Sequence, residues 1–395
     1  MDFSFKNMAI APSPTLSIDA KYKQMLADGI DVVGFGAGEP DFDTPEHIRN
    51  AAIDAINGGQ TRYTPAAGTL KLRQIVANKF KSDNGLEYSP TQIVVSNGAK
   101  HSLTNAFSAI LNPGDEVIIP APYWVSYPEM VKMADGVPKF VYADEEHDFK
   151  ITAAQLEEAI TPKTKAVILN SPSNPTGMVY TEEELRSLAE TAVKHNLIIV
   201  ADEIYEKLVY DDNKHVSIAS FSEEIFNNTI TINGVSKSYA MTGWRIGFAA
   251  ANDKIAKIMS NIQSHAASNP NSIAQAATIA ALEGPQDDVE MMRQTFEKRR
   301  DHMVKRINAI EGVSCIVPQG AFYVMMNVKQ LFGKSFFGKT IQTSDDFAEA
   351  LLENAKVALV PGSGFGAEGY VRWSYATSIE NIDKGLDRLE AFLNS

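Results

Sequence analysis

The sequence lacks the features that would place it in a membrane or an oxidising compartment. Its 395 residues include one cysteine, Cys315, which has no second cysteine in the chain to pair with. No run of about 18 apolar residues is present, and the N-terminus lacks the charged stretch and apolar segment typical of a secretory signal. These absences predict a cytoplasmic protein that does not enter a membrane.

Positive charge is also scarce. The chain carries 36 basic and 49 acidic residues, for a formal net charge of −13. This balance disfavours a general surface for nucleic acid or anionic lipid, but it leaves room for a local basic pocket that binds a small anion. The length suits two domains, or one large domain with a smaller companion.

Two glycine clusters invite a dinucleotide-binding interpretation that the sequence does not support. They are GFGAG at Gly34–Gly38 and GSGFG at Gly362–Gly366. Neither completes a G-x-G-x-x-G motif followed by a helix and an acidic residue about 20 positions later. A Rossmann nucleotide site is therefore not predicted.

The middle of the chain alternates short apolar runs with longer amphipathic ones, which predicts an α/β fold with a mostly parallel sheet covered by helices. Five strands are predicted, within TQIVVS, DEVIIPAPYW, TKAVILN, NLIIVAD and NTITING. Pro120 and Pro122 are expected to end the second of them, and Thr181 and Glu184 have the spacing of a capping box. Residues 46–300 are expected to form a large domain, and residues 1–45 and 301–395 a smaller one.

Unusual residues follow the carboxyl end of each predicted strand. They are Gly98, Ala99 and Lys100; Tyr123 and Trp124; Asn174; Asp202 and Tyr205; and Ser236 and Lys237. Singly, each has a structural explanation, such as a helix cap, a core aromatic or a turn. Together they predict one pocket, because ligands of open α/β sheets bind at the carboxyl edge.

These residue types suit an aldehyde cofactor with a phosphate and a pyridine ring. Lys237 could condense with the aldehyde, and Asp202 could keep the ring nitrogen protonated. A helix start at Gly98-Ala99-Lys100 together with Arg245 could hold the phosphate. The remaining candidates are Tyr205 and Asn174 for the phenolic oxygen and Trp124 for the ring face.

Longer motifs resemble a known family. SPSNPTG, ADEIYEKLVY, NGVSKSYAMTGWRIG and VRWSYATS resemble the signatures of fold-type I, class I aminotransferases that depend on pyridoxal phosphate. AGEPDFDTP, YTPAAGTLKLR, SNGAKHSL and PYWVSYPE are similar to the bacterial aspartate aminotransferase subgroup. The resemblance extends over nearly the whole chain.

The resemblance implies a seven-stranded, mostly parallel sheet in the large domain, pyridoxal 5′-phosphate as cofactor, and a homodimer with shared active sites. It implies transfer of the amino group of L-aspartate to 2-oxoglutarate, giving oxaloacetate and L-glutamate. It repeats the roles given above, with Lys237 as the Schiff-base lysine, and puts Trp124 and Asn174 near substrate as well. The further roles are Ser236 beside the phosphate, Arg372 and Gly38 at the substrate α-carboxylate, Lys100 at its distal carboxylate, and Tyr63 at the phosphate of the neighbouring subunit.

Other activities remain open at this point. The same fold could carry an aromatic, alanine or aspartate/prephenate aminotransferase, or a carbon–sulfur β-lyase, and a regulator that binds the cofactor without turnover is a further possibility. Relatives that aminate prephenate resemble one another in a basic residue near the N-terminus, where this chain has Ala11. That difference disfavours prephenate as a substrate.

Overall fold

The computed structural model describes residues 3–12 and 14–395. The α-helices are α1 (Phe5–Met8), α2 (Pro14–Ala27), α3 (Glu46–Asn57), α4 (Leu70–Asn84), α5 (Ala99–Ile110), α6 (Ser126–Met133), α7 (Ala153–Ala159), α8 (Glu182–Lys194), α9 (Glu223–Asn228), α10 (Asp253–Ala266), α11 (Ser272–Glu283), α12 (Asp287–Ile307), α13 (Ser344–Ala355) and α14 (Ile379–Leu393). The strands are β1 (Val33–Gly34), β2 (Ile93–Ser96), β3 (Glu116–Ala121), β4 (Val137–Tyr142), β5 (Thr164–Asn170), β6 (Ile198–Asp202), β7 (Thr229–Gly234), β8 (Gly247–Ala250), β9 (Tyr323–Asn327), β10 (Ser335–Phe336), β11 (Lys339–Thr340), β12 (Val357–Ala358), β13 (Val360–Pro361) and β14 (Tyr370–Ser374). None of the helices in these ranges is long and apolar enough to cross a membrane.

A seven-stranded sheet forms the centre of the described fold, in the order β2-β8-β7-β6-β5-β3-β4. Strand β8 is antiparallel to both of its neighbours, whereas the other pairs are parallel. The central strands β6 and β7 are buried almost throughout, as expected for strands covered by helices on both faces. The predicted α/β class with a mostly parallel sheet is confirmed.

The prediction that Pro120 ends its strand is wrong. Strand β3 continues through Pro120, which pairs with Val141 of β4, and ends at Ala121 before Pro122. Pairing of β3 with β5 ends at Ile118, so the missing N–H of Pro120 interrupts no ladder on that side. The predicted capping box is confirmed, because the Thr181 hydroxyl accepts from the Glu184 backbone N–H while the Glu184 carboxylate accepts from that of Thr181.

Segments from both ends of the chain pack together. Val33 of β1 lies opposite Val357 of β12 in a parallel pair, and the ring of Phe35 lies 4.6 Å from that of Trp373. A separate three-stranded sheet, in the order β13-β14-β9, carries Arg372 on its central strand. The long helix α12 runs without a break across residue 300, so the division at residues 45/46 and 300/301 stays a prediction.

Candidate active site

A cavity of about 450 Å³ lies at the carboxyl edge of the seven-stranded sheet. It brings together most of the residues predicted from the strand ends, although up to 199 positions of chain separate them. The predicted residues that line it are Gly38, Ala99, Lys100, Trp124, Asn174, Asp202, Tyr205, Ser236, Lys237 and Arg245. Convergence follows from the parallel strands, because β2, β3, β5, β6 and β7 all point their carboxyl ends to this edge.

Lys237 follows β7 and projects into the cavity. Its Nζ donates a hydrogen bond to the backbone carbonyl of Gly38. Burial lowers the pKa of the Lys237 ammonium to about 8; the charge of Glu39 opposes this shift, whereas Arg372 and Arg245 add to it. The amine is therefore far closer to its neutral, nucleophilic form at pH 7 than an ordinary lysine.

Asp202 is the last residue of β6 and is 3% exposed. Its Oδ2 accepts a hydrogen bond from the Tyr127 hydroxyl at 2.7 Å, and its Oδ1 accepts from the Ile204 backbone N–H at 3.3 Å. Burial raises the pKa of the Asp202 carboxyl to about 6 in spite of these donors. A cation placed against this carboxylate would be strongly favoured, because a buried charge needs a partner.

Helix α5 begins at the cavity and packs tightly against Arg245. Gly98, the residue before the helix, has φ +84°, and a Cβ on it would lie 2.2 Å from Nη2 of Arg245. A Cβ on Gly247 would lie 2.1 Å from the Ala99 backbone nitrogen. Arg245 itself donates from Nη1 to the Thr242 carbonyl at 2.7 Å. Gly98 thus permits the close approach of a guanidinium to a helix N-terminus, and Gly247 permits the close approach of strand β8 to the same helix start. A guanidinium beside a helix N-terminus is a favourable arrangement for an anion.

Arg372 does not line the cavity but lies just behind two residues that do. It is 2% exposed, donates from Nη1 to the Asn174 side-chain oxygen at 2.8 Å and from Nη2 to the Gly36 carbonyl at 2.9 Å. Its guanidinium carbon lies 4.3 Å from the centre of the Tyr323 ring. Within the described residues its buried Nε has no hydrogen-bond partner, so this cation retains unused donor capacity beside the cavity.

Lys100 is a further cation of the cavity and lies near the wall formed by Trp124. The Lys100 Nζ is 4.9 Å from the centre of the Trp124 ring. Burial lowers the pKa of the Lys100 ammonium, and the charge of Arg245 lowers it further. An anionic group bound between Lys100 and Arg245 would relieve the repulsion between these two cations.

The other predicted residues differ in position. Tyr205 lines the cavity, and its hydroxyl lies 3.0 Å from that of Tyr323, while Ser236 is buried at the cavity wall. Tyr63 lies away from the cavity and is 91% exposed. The predicted role of Tyr63 at a neighbouring subunit therefore needs a second copy of the chain.

A buried network anchors the segment that carries Asp202 and Tyr205 from the opposite side. Ligand-type atoms of Glu203, Glu206 and His215 all lie within 4.8 Å of one another. The Lys79 ammonium contacts Glu206, so a protein cation already balances charge in this cluster.

Sequence reasoning missed several residues of the site. Tyr127 lies on the first turn of α6, three positions after Trp124, which precedes the helix, and no local sequence signal connects its hydroxyl to Asp202. Tyr323 and Glu39 also line the cavity, and Glu39 accepts from the Thr242 hydroxyl at 2.8 Å. Helix α2 adds Asp19 to the lining, and no local sequence signal connects this helix to the strand ends.

Comparison with known proteins gives a consistent result. Residues 30–389 match the family model for class I and II aminotransferases. The chain is 54% identical to the aspartate aminotransferase of Bacillus sp. (strain YM-2), over 97% of both chains. It is 50% identical to a probable aspartate/prephenate aminotransferase of Rhizobium leguminosarum bv. phaseoli, over 97% of this chain and 96% of the relative. The crystal structure of the aspartate aminotransferase from Rhizobium meliloti superposes with a TM-score of 0.96 at 45% identity, covering 100% of this chain and 99% of the other.

With this extent of match, the chain belongs to the class I and II aminotransferase family. The resemblance inferred from the sequence motifs is confirmed at the level of the family and its fold.

Proposed function

We propose that this protein is an aspartate aminotransferase that uses pyridoxal 5′-phosphate to transfer the amino group of L-aspartate to 2-oxoglutarate. The observation that carries the proposal is the gathering of Lys237, Asp202 and Lys100 in one cavity with Arg372 directly behind it. An acidic protein of net charge −13 thus presents cations where an amino acid with two carboxylates would react. The names of the relatives at 54% and 45% identity support the choice of aspartate.

The residues of the cavity fit the cofactor. Asp202 offers a buried carboxylate to the ring nitrogen, and Lys237 offers an amine to the aldehyde. The close approach that Gly98 and Gly247 permit leaves the start of α5 and the guanidinium of Arg245 for the phosphate, with Ser236 beside them. Trp124 would cover the ring face, and Tyr205 and Asn174 would bond the phenolic oxygen. The donor set matches each part of the cofactor in charge and chemistry.

When bound, pyridoxal phosphate supplies an aldehyde that condenses with amines and a protonated ring that accepts the electrons released with the α-proton. Lys237 Nζ acts as the base that removes the α-proton of the substrate and as the acid that returns a proton. With a pKa of about 8, about one Lys237 amine in ten is neutral at pH 7, compared with about one in 3,000 at the ordinary 10.5. Asp202 stabilises positive charge on the ring nitrogen throughout.

Two further cations, one in the cavity and one directly behind it, would orient the substrate. Arg372 would hold the α-carboxylate through two parallel N–H donors, with the backbone at Gly38 close by, and Lys100 would hold the distal carboxylate. Trp124 and Asn174 complete the substrate contacts. These contacts would keep the α-proton of the substrate within reach of Lys237. After aspartate has left as oxaloacetate, the same residues would bind 2-oxoglutarate, which is converted to L-glutamate.

A homodimer with shared active sites is part of the proposal. Tyr63 is 91% exposed in the single chain, so its side chain is accessible to a second copy of the chain. In the dimer, Tyr63 would reach the phosphate of the neighbouring subunit. Closure of a smaller domain, residues 1–45 and 301–395, over a larger one, residues 46–300, would exclude water during the reaction.

An aspartate/prephenate aminotransferase is the second candidate. It is supported by the name of the relative from Rhizobium leguminosarum at 50% identity. Against it stands Ala11, whose backbone N–H donates to Glu129 at 3.0 Å and whose side chain offers no charge. Comparing prephenate with 2-oxoglutarate as the amino acceptor, with L-aspartate as the donor, separates the two candidates.

The first test is spectroscopic. Purified protein is reconstituted with pyridoxal phosphate, and the absorbance band of the bound aldehyde form is followed as L-aspartate is added alone, then 2-oxoglutarate. Loss of the band with aspartate and its return with 2-oxoglutarate are expected. A band that ignores aspartate but responds to alanine or an aromatic amino acid would change the substrate, and the absence of any band would refute the cofactor.

A further inference from the structure

Tyr127 is a buried tyrosine that lines the cavity and contacts neither the substrate nor the cofactor in the proposed reaction. It lies on the first turn of α6 and is 3% exposed. Its hydroxyl donates to Oδ2 of Asp202 at 2.7 Å. Apart from the Ile204 backbone N–H, it is the donor that the described residues bring to this carboxylate.

The direction of this hydrogen bond is fixed by the environment. Burial raises the pKa of the Tyr127 phenol well above 10, and the negative charge of Asp202 raises it further, so the hydroxyl stays neutral and donates. Burial also raises the pKa of the Asp202 carboxyl, to about 6, and the Tyr127 hydrogen bond opposes that shift. Of the other charges facing Asp202, Glu203 raises this pKa and Lys237 lowers it. Tyr127 therefore favours the ionised form of Asp202.

Tyr127 also contacts the aromatic residue on the cavity wall. Its ring meets that of Trp124 edge to face, with centroids 5.4 Å apart and planes at 86°. Its backbone N–H donates to the Trp124 carbonyl at 3.0 Å. One residue thus orients both the carboxylate predicted to meet the ring nitrogen and the indole predicted to cover the ring face.

We propose that Tyr127 is a positioning residue that keeps Asp202 ionised and aligned for the cofactor ring nitrogen while supporting Trp124. This inference rests on the proposed function, because it needs a cofactor with a pyridine nitrogen. Tyr127 touches neither the substrate nor the reacting atoms in the proposal; it acts through Asp202. Loss of the Tyr127 hydroxyl should therefore weaken the interaction of the protein with the ring nitrogen more than its interactions with the rest of the cofactor.

A purely structural role is the competing explanation, since Tyr127 also belongs to a buried apolar cluster with Val94 and Met130. Tyr180 provides a matched control. It is 5% exposed, lies in a different apolar cluster, and its hydroxyl accepts from the Ile151 backbone N–H at 3.1 Å. Tyr180→Phe removes the same hydroxyl from an equally buried position without touching Asp202.

The experiment measures binding of pyridoxamine 5′-phosphate to the cofactor-free protein, because this ligand has the ring nitrogen but forms no bond to Lys237. Its 1-deaza analogue, with C–H in place of the ring nitrogen, is measured in parallel. Tyr127→Phe should weaken the binding of pyridoxamine phosphate by about ten-fold or more, which is the effect of one hydrogen bond to a charged group. The affinity for the deaza analogue should be nearly unchanged. Tyr180→Phe should change neither affinity.

The pH profile provides a second readout. Binding of pyridoxamine phosphate to the wild-type protein should fall as pH drops through about 6, where Asp202 becomes protonated. In Tyr127→Phe the midpoint should move to higher pH, because the ionised carboxylate has lost a donor. If this variant does not fold, 3-fluorotyrosine introduced at position 127 keeps the shape and donates more strongly, so the midpoint should move to lower pH.

Four results would overturn the inference. Equal losses for the ligand and its deaza analogue would show a structural effect, and a Tyr127→Phe protein that binds both ligands as Tyr180→Phe does would show that the Tyr127 hydroxyl has no role in binding. A midpoint that does not move in either the phenylalanine or the fluorotyrosine protein would remove the link to Asp202. If the wild-type protein binds no pyridoxamine phosphate at all, the proposed function fails and the inference fails with it, a result that is distinct from the other three.

Discussion

Substitution of Lys100 tests the proposed choice of a dicarboxylate substrate. The ammonium lies 4.9 Å from the Trp124 ring centre, on the second residue of α5, where the helix dipole disfavours a cation. Burial and the neighbouring Arg245 lower its pKa, so the position carries an electrostatic cost in the free protein. A bound carboxylate would offset that cost. Lys100→Ser removes the charge and most of the side chain.

The expected magnitude follows from the partial burial of Lys100. Two opposite charges about 4 Å apart attract by about 4 kcal/mol at an effective dielectric constant of about 20, and one hydrogen bond to a charged group contributes about 1.5–3 kcal/mol. Since the ammonium keeps some contact with solvent, we expect about 2–3 kcal/mol, or about a 30- to 150-fold loss in kcat/KM for L-aspartate. Lys100→Ser also removes the repulsion between Lys100 and Arg245. This effect is the same for every substrate, so it cancels in the ratio of the kcat/KM values for two substrates.

The assay compares kcat/KM for L-aspartate and L-alanine in wild-type protein and variants. Lys100→Ser should lower the value for aspartate by the factor above and leave that for alanine nearly unchanged, because alanine has no distal carboxylate. Arg372→Lys should lower both values by a similar factor, since both substrates have an α-carboxylate. Lys257→Ser, on an exposed lysine of α10, is the control and should alter neither. Equal losses for both substrates in Lys100→Ser would refute the distal-carboxylate role.

Two further predictions concern buried charges. In cofactor-free protein, the rate of Lys237 acylation, followed by peptide mass spectrometry, should rise with pH with a midpoint near pH 8. Asp202→Asn should lower this midpoint, because the Asp202 carboxylate favours the ammonium form of Lys237. A midpoint near pH 10.5 would contradict the argument that burial lowers the pKa. Lys79→Met should lower the free energy of unfolding by about 3–5 kcal/mol in urea titrations, since it leaves Glu206 buried without its cation. Adding Glu206→Gln should restore most of that loss. Equal stability of the single and double variants would refute the pairing. Burial alone would raise the pKa of Glu206, but Lys79 and His215 lower it to about 2, so the stabilisation by this carboxylate is present above about pH 4.5 and is lost as pH falls toward 2.

Local sequence patterns were sufficient for five of the seven strands of the central sheet and for the residues at their carboxyl ends, but they did not indicate β4 or β8. Short apolar runs such as AVIL within TKAVILN predict strands buried on both faces, and neighbouring parallel strands end on the same side of a sheet. The joint position of Lys237 and Asp202 therefore followed before any contact was known. Pro120 was misjudged because tolerance of a proline depends on whether a neighbouring strand needs its N–H, which is a property of the sheet and not of the segment.

What the sequence by itself determined is the set of chemical groups and the side of the sheet at which they meet. Only the tertiary structure decided how those groups are tuned. Burial moves the pKa of Lys237 down to about 8 and that of Asp202 up to about 6, and burial depends on packing from the entire chain. Contacts such as Tyr127 to Asp202, or Arg372 to Asn174 across 198 positions of chain, arise because separate elements fold against one another, and no local spacing encodes them.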